Sequence, residues 1–245
     1  MYSEDYFSHG KYLDNETQDE ENRRRLNLIR TCITKSCTDC KILDFGCGCG
    51  DFIKWCSGIY EMWGYDFSES AVEKARENNP NISHRISCSL IEDNGWSPDQ
   101  FDAVVMWDVL EHIWDPAETC ARLSQYLKPG GYLFLSTPDI GAFMARLMGK
   151  YWAFMTPPEH IGFFSPKSTE YLFEKKMDFR IITRENKGKK VNIGFLLYKI
   201  RRIIPGLVPE ALMRFFQMPS TRRLSVHVPT MDIKYVAARK KRPDE

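Results

Sequence analysis

Apolar residues in this chain come as short continuous runs, separated by turn residues and interleaved with stretches of helical period. Lys41 to Phe45 (KILDF), Glu61 to Asp66 (EMWGYD) and Phe101 to Met106 (FDAVVM) are too short for helices and read as buried strands. A further strand ends near Ser89–Glu92, and another spans Phe179 to Thr183. Helical segments fall between them. Asn15 can cap a helix reaching Ser36, in which Leu26, Ile29, Cys32 and Ile33 form an apolar stripe. Asp51 to Ser57 is a short helix, and Ser68 caps Glu69 to Asn78, which Asn79-Pro80 ends. Asp115-Pro116 opens a helix to Leu127, and Ser165-Pro166 opens one over Lys167 to Lys176. Strand and helix alternate over residues 40–139 with short turns. That pattern implies a parallel sheet covered by helices on both faces.

Residues 186–230 break the alternation. Gly194 to Ile204 and Glu210 to Phe216 read as two amphipathic helices separated at Pro205-Gly206. Leu196, Leu197, Ile200 and Ile203 share one face, and Lys199, Arg201 and Arg202 lie mostly on the other. Such a face packs on its own domain or rests on a membrane surface. The position favours a cap over an acceptor pocket, with weak membrane-surface contact as the alternative. The chain thereby divides into a covering N-terminal segment (1–36), a core (37–185), the helical insertion (186–230), and a last strand with a basic tail (231–245).

The first strand runs into Asp44-Phe45-Gly46-Cys47-Gly48-Cys49-Gly50, a G-x-G-x-G turn that opens a helix. Glycines let the backbone approach a ligand closely. A dinucleotide fingerprint would be G-x-G-x-x-G. Here Asp51 follows Gly50, a poor neighbour for a pyrophosphate, so the site suits a nucleoside without phosphates. Asp66 ends the next strand, where a carboxylate can accept both ribose hydroxyls.

These two features resemble the class I S-adenosylmethionine (SAM) methyltransferases, whose first motif is D-x-G-x-G-x-G. Trp107-Asp108-Val109-Leu110-Glu111-His112-Ile113 resembles their post-strand motif. Leu127-Lys128-Pro129-Gly130-Gly131 and the run to Pro138 resemble their Gly turn and fifth strand. Glu159-His160-Ile161-Gly162-Phe163-Phe164-Ser165 resembles a segment of a bacterial small-molecule subgroup. The resemblance covers roughly residues 40–185 and a last strand over Asp232 to Ala238. It implies a Rossmann-like α/β fold with a seven-stranded, mostly parallel sheet and an antiparallel last strand. It also implies SAM as cofactor, with S-adenosylhomocysteine as product. Gly46, Cys47 and Gly48 would face its methionine end, Asp44 its amino group, Asp66 the ribose and Phe67 the adenine, with Trp107 nearby. Many relatives carry an Asp where this chain has Leu90, so backbone groups of Leu90 and Ile91, or Glu92, would meet the adenine amino group.

Methyl transfer needs alignment, and a base if the acceptor is a hydroxyl. His112 and His160 are the candidate bases, with Glu111 beside them and Tyr12 lining the acceptor pocket by resemblance. The alternative role for Glu111 and His112 is only to cap and orient their loop; His9, His84 and His227 lie outside any motif. Asp108, Glu111, His112 and His160 also resemble the metal-binding pattern of some O-methyltransferases of quinone precursors and RNA 3′ ends. Metal-free relatives carry the same D-V-L-E-H, so no metal is expected. The reading that results is O- or N-methylation of a small molecule, such as a sugar or natural-product intermediate. A SAM-binding partner subunit without catalysis is the alternative from another class.

Charge adds one refinement. The net charge is +1, but residues 1–22 hold seven acids and one base, and residues 180–245 hold sixteen bases and five acids. A basic C-terminal third suits an anionic acceptor, such as a phosphorylated one, or is simply a solvated face. No RNA-binding module is legible, so nucleic acid is not expected. There is no signal-like opening and no run long enough to span a bilayer, and the eight cysteines are scattered. Those features suit reduced thiols in a cytoplasmic setting, although Cys37-x-x-Cys40 with Cys32 nearby also admits zinc or redox chemistry. Oligomeric state stays open.

Overall fold

The computed structural model describes residues 15–33, 39–204, 206–218, 221 and 224–245. Tyr12, His9 and Cys37 lie outside them. Seven strands form one sheet in the order β3-β2-β1-β4-β5-β7-β6. They are β1 (Lys41–Phe45), β2 (Glu61–Tyr65), β3 (Ile86–Ser87), β4 (Phe101–Trp107), β5 (Leu127–Pro138), β6 (Phe179–Asn192) and β7 (Ser225–Lys240). The neighbours from β3 to β5 pair in parallel, and β7 runs antiparallel to β5 and β6. The Rossmann-like sheet with an antiparallel last strand is therefore present.

Period-two alternation sorts the strand residues onto two cores. Ile42, Met62, Val105, Phe134 and Ala237 face the side covered by α1 (Asn15–Cys32), α2 (Asp51–Cys56) and α3 (Glu69–Asn78). Leu43, Val104, Met106, Leu133 and Val236 face the side covered by α4 (Pro116–Tyr126) and α6 (Pro166–Glu170). Helix α3 begins where its cap dictates: the Ser68 hydroxyl accepts from the Ala71 amide at 3.3 Å. Helix α6 carries a capping box between Ser165 and Ser168 and continues as a π-helical turn over Tyr171–Lys175. A short helix that the sequence pattern did not suggest, α5 (Phe143–Met148), follows β5.

The C-terminal third differs from expectation in its strands. β6 continues to Asn192 and β7 begins at Ser225, where the sequence pattern suggested strands only over 179–183 and 232–238. The helical part of the insertion is thus shorter than 186–230. It consists of α7 (Ile193–Ile203) and α8 (Glu210–Gln217), carried at the tip of a two-stranded ribbon. Ribbon residues such as Lys187 and Glu185 are paired with each other in water, so no hydrophobic period marks them.

Phe134 is fully buried on β5, between β4 and β7. Phe134→Ala is expected to lower unfolding free energy by about 3–5 kcal/mol, read from urea denaturation, because a cavity is left in a core that cannot fully close.

Candidate active site

The carboxyl ends of β1, β2 and β4 meet at one edge of the sheet. Past β1 the chain turns left-handed at Gly46 (φ 83°), Gly48 (φ 51°) and Gly50 (φ 78°). The Gly46 and Cys47 amides both donate to the Tyr65 carbonyl, at 2.7 and 2.9 Å, which binds the loop to the end of β2. The loop is tight on one side and open on the other. A Cβ on Gly46 would lie 2.4 Å from Val109, whereas nothing lies within 4 Å of where a Cβ on Gly48 would be. Gly48 thus presents its backbone to open space.

Asp66 organises the second wall. Its Oδ2 accepts from the Gly48 amide at 2.8 Å and its Oδ1 from the Ser68 amide at 2.9 Å. Each oxygen retains a second lone pair, as a ribose diol requires. Burial raises the Asp66 carboxyl above its ordinary range, against the amide hydrogen bonds that lower it. Phe67, its neighbour in the chain, and Leu90, beyond β3, are exposed apolar side chains, at 80% and 66%. Glu92, the alternative to backbone groups at Leu90, pairs instead with Arg122. The Leu90 carbonyl accepts from Asn94 at 2.8 Å.

Asp44 lies beneath the glycine loop, 2% exposed, and burial pushes its carboxyl up to about 7 despite the opposing pull of Arg25. Cys47 is buried beside it, and burial raises its thiol well above the ordinary value. Arg25 of α1 is a site residue that sequence reasoning missed. Its Nη2 donates to Asp108 at 2.9 Å, and its guanidinium lies 5.5 Å from the centre of the Trp107 ring. The buried Arg25 Nε and the buried Trp107 Nε1 have no hydrogen-bond partner. Two buried donors without a partner suit an anionic or carbonyl group of a ligand, since unpaired burial is costly. An Arg on a charged helix looks like solvated surface in sequence; only the antiparallel return of β7 under α1, with Tyr235 donating to Glu21, turns it inward.

Asp108 itself, left-handed at φ 56°, turns the chain out of β4. Its Oδ1 accepts from Ser136 at 2.9 Å. The turn Leu110–His112 follows. Glu111 is buried, accepts from the Thr137 hydroxyl at 2.9 Å, and its carbonyl receives the amides of Ile161 and Gly162 at 3.0 and 2.9 Å. Those amides fasten the His160 segment over the turn. The rings of His112 and His160 lie 4.8 Å apart, edge to face. His112 Nδ1 sits 2.7 Å from the Glu159 carbonyl, and His160 Nδ1 sits 2.7 Å from the Phe154 carbonyl. A carbonyl oxygen only accepts, so each Nδ1 carries the proton and the lone pair falls on Nε2. Burial lowers the His112 pKa, which favours the neutral ring. One ligand atom from each of Glu111, His112 and His160 falls within 4.8 Å of the others.

A family model described as a methyltransferase domain matches residues 15–183. The chain belongs to that family. A ubiquinone biosynthesis O-methyltransferase of Thiobacillus denitrificans is 34% identical over 101 residues, 40% of this chain and 44% of that one. Another of that description, from Saccharophagus degradans, is 27% identical over 183 residues, 64% of this chain and 76% of that one. The chain thus spans under half the length of the Thiobacillus protein. The crystal structure of a SAM-dependent methyltransferase from Archaeoglobus fulgidus superposes with a TM-score of 0.57 at 20% identity, covering 93% of this chain and all of that one. That likeness is one of fold. For a SAM-dependent methyltransferase domain, the open Gly48 cradle, the Asp66 lone pairs and the unpaired Arg25 and Trp107 donors fit the cofactor.

Because Asp44 holds its proton more tightly folded than unfolded, its contribution to stability is full below the ordinary carboxylate range and is lost as pH rises towards about 7. Asp44→Asn is therefore expected to gain stability relative to the parent between pH 4 and pH 7.5. Urea midpoints at several pH values check this, and a parallel pH dependence of the two proteins would contradict it.

Proposed function

We propose that this domain transfers a methyl group from SAM to an oxygen of a small-molecule acceptor. The observation that carries the reading is the pair of imidazoles with Nε2 lone pairs, fastened beside the glycine loop at the same sheet edge. When bound, SAM supplies an electrophilic methyl on a sulfonium sulfur. Gly46, Cys47 and Gly48 would present backbone groups to its methionine end, with Asp44 at the amino group and Arg25 at the carboxylate. Asp66 would hold the ribose, and Phe67, Leu90 and Ile91 would frame the adenine. One histidine Nε2 would take the acceptor's hydroxyl proton, freeing the oxygen to receive the methyl as the carbon–sulfur bond breaks and S-adenosylhomocysteine leaves. Nδ1, held to its carbonyl, keeps the ring in the required tautomer. The buried Glu111 carboxylate stabilises the imidazolium that results. The relatives described as ubiquinone biosynthesis O-methyltransferases support oxygen over nitrogen as the atom methylated.

The ribbon and its two helices extend from the sheet edge that carries the site, which supports a cap over the acceptor. A phosphorylated acceptor draws less support. Lys187 is paired with Glu185 and Arg201 with Glu210, so part of the expected basic flank is already neutralised.

A second reading rests on the Glu111–His112–His160 cluster. Imidazoles whose Nδ1 donates to a carbonyl are oriented as metal ligands usually are. A divalent ion held there would lower the acceptor hydroxyl's pKa. Asp108 stands apart from the cluster, held by Arg25 and Ser136.

Replacing the true base by Ala is expected to cost roughly 10²–10⁴ in turnover with SAM affinity nearly intact. Single-turnover rates of His112→Ala and His160→Ala on a hydroxylated quinone-precursor acceptor, beside calorimetry with S-adenosylhomocysteine, measure both. Near-normal rates in both variants would remove the histidines from the proton step.

The metal reading is separable. Titrating chelator-treated protein with Mn²⁺ is expected to give one site by calorimetry, lost in His160→Ala. Absence of binding heat in the parent protein would leave the base reading standing alone.

A further inference from the structure

β6 and β7 run on past the end of β5. Their pairing continues from Lys187 opposite Ile233 to Asn192 opposite Ser225, while β5 ends at Pro138 opposite Ile233. Because β6 is parallel to β1 and β4, this ribbon projects from the carboxyl edge of the sheet, where the glycine loop and the histidines lie. Helices α7 and α8 are carried at its tip. They have more apolar surface than their own packing uses. Leu196, Leu197 and Ile200 of α7, with Met213 and Phe216 of α8, are half-buried. A second set faces water: Tyr198, Ile204, Leu207, Leu212, Phe215 and Met218 are all between 39% and 59% exposed. Phe215 and Phe216 show the division directly. They are adjacent, with perpendicular rings 5.2 Å apart, one turned out and one turned in.

The sequence of this segment is one-sided in charge. Residues 193–226 carry six Lys and Arg and a single acid, Glu210. Arg201 and Arg214 both contact that one carboxylate, at 3.1 and 3.7 Å, which leaves the pair positive. Several large apolar side chains exposed on one short helix pair mark a docking surface more often than a solvated one. A symmetric contact between two copies would bring two such basic clusters together, so like charge opposes it. An anionic bilayer surface satisfies both features, taking the apolar side chains at the headgroup boundary and the basic ones among the phosphates. The helices have eleven and eight residues. A span needs about 20, and no described helix is long and apolar enough to cross a membrane. The pair can only lie in the interface plane.

We propose that the α7–α8 pair is an interfacial dock that lays its outer apolar face on anionic lipid. Docking there holds the carboxyl edge of the sheet, and with it the mouth of the site, close to the bilayer. An acceptor dissolved in lipid then reaches the histidines without crossing water. The docking argument rests on surface chemistry alone, so its failure would leave the methyl-transfer reading intact.

Flotation of the full chain with phosphatidylcholine vesicles, with and without phosphatidylglycerol, tests the dock. The protein is expected to float with the phosphatidylglycerol vesicles, at least about tenfold less with phosphatidylcholine alone, and less again as salt screens the attraction. Leu212→Glu with Phe215→Glu is expected to reduce flotation about tenfold or more, while melting temperature and S-adenosylhomocysteine affinity stay unchanged. No association with anionic vesicles would overturn the proposal, as would equal flotation of the double variant. Light scattering that shows a lipid-free dimer, broken by the same two substitutions, would assign the face to a second copy and overturn it too.

Discussion

Two neighbouring amides, Gly46 and Cys47, converge on the single carbonyl of Tyr65, and the remaining features of the site depend on that contact. It requires the left-handed turn at Gly46, where a side chain would collide with Val109. It also requires β1 and β2 to pair so that Phe45 lies opposite Tyr65, their rings stacked 4.7 Å apart. With the loop fixed in this way, the Gly48 amide meets Asp66, and the cradle and the Asp66 carboxylate become one rigid unit. A site built on strand ends is positioned by the sheet itself, and little energy is needed at binding to organise it.

The histidine side is built on a different principle. No strand carries His160; it is brought to His112 by the Ile161 and Gly162 amides, which close on the Glu111 carbonyl. A second tie comes from Lys234, fully buried on β7, which donates to the Phe164 carbonyl at 3.0 Å. Burial lowers its pKa to about 8, so the ammonium is kept by that carbonyl and by the nearby Asp139 and Glu111 charges. The last antiparallel strand therefore positions this side of the sheet edge as well as the core. It anchors the segment bearing one histidine, and through Tyr235 it holds the helix bearing Arg25.

Much of this was legible in sequence where local chemistry and global fold agree. Helix α3 starts and stops where Ser68 and Asn79-Pro80 place it, because a cap and a proline act on their own backbone. Asp66 could be recognised because it ends an apolar run at a fixed distance from a glycine turn. The ribbon was not legible. Glu185–Asn192 is polar but for Gly188 and Val191, since a two-stranded ribbon beyond the sheet has no second layer to bury against. Arg25 was missed for the opposite reason: its partners, Asp108 and Trp107, lie more than eighty residues away in sequence and meet it only in the folded chain. The acceptor pocket's expected Tyr12 lies outside the described residues.

The central claim is that one edge of the sheet binds a nucleoside-linked sulfonium and delivers its methyl towards two histidines. A crystal structure with S-adenosylhomocysteine tests it most directly. The account predicts the ribose hydroxyls on the Asp66 carboxylate, the adenine between Phe67 and Leu90, the amino-acid end between Gly48 and Arg25, and the sulfur facing the His112–His160 pair. A ribose placed away from Asp66, or a sulfur directed away from the histidines, would contradict it.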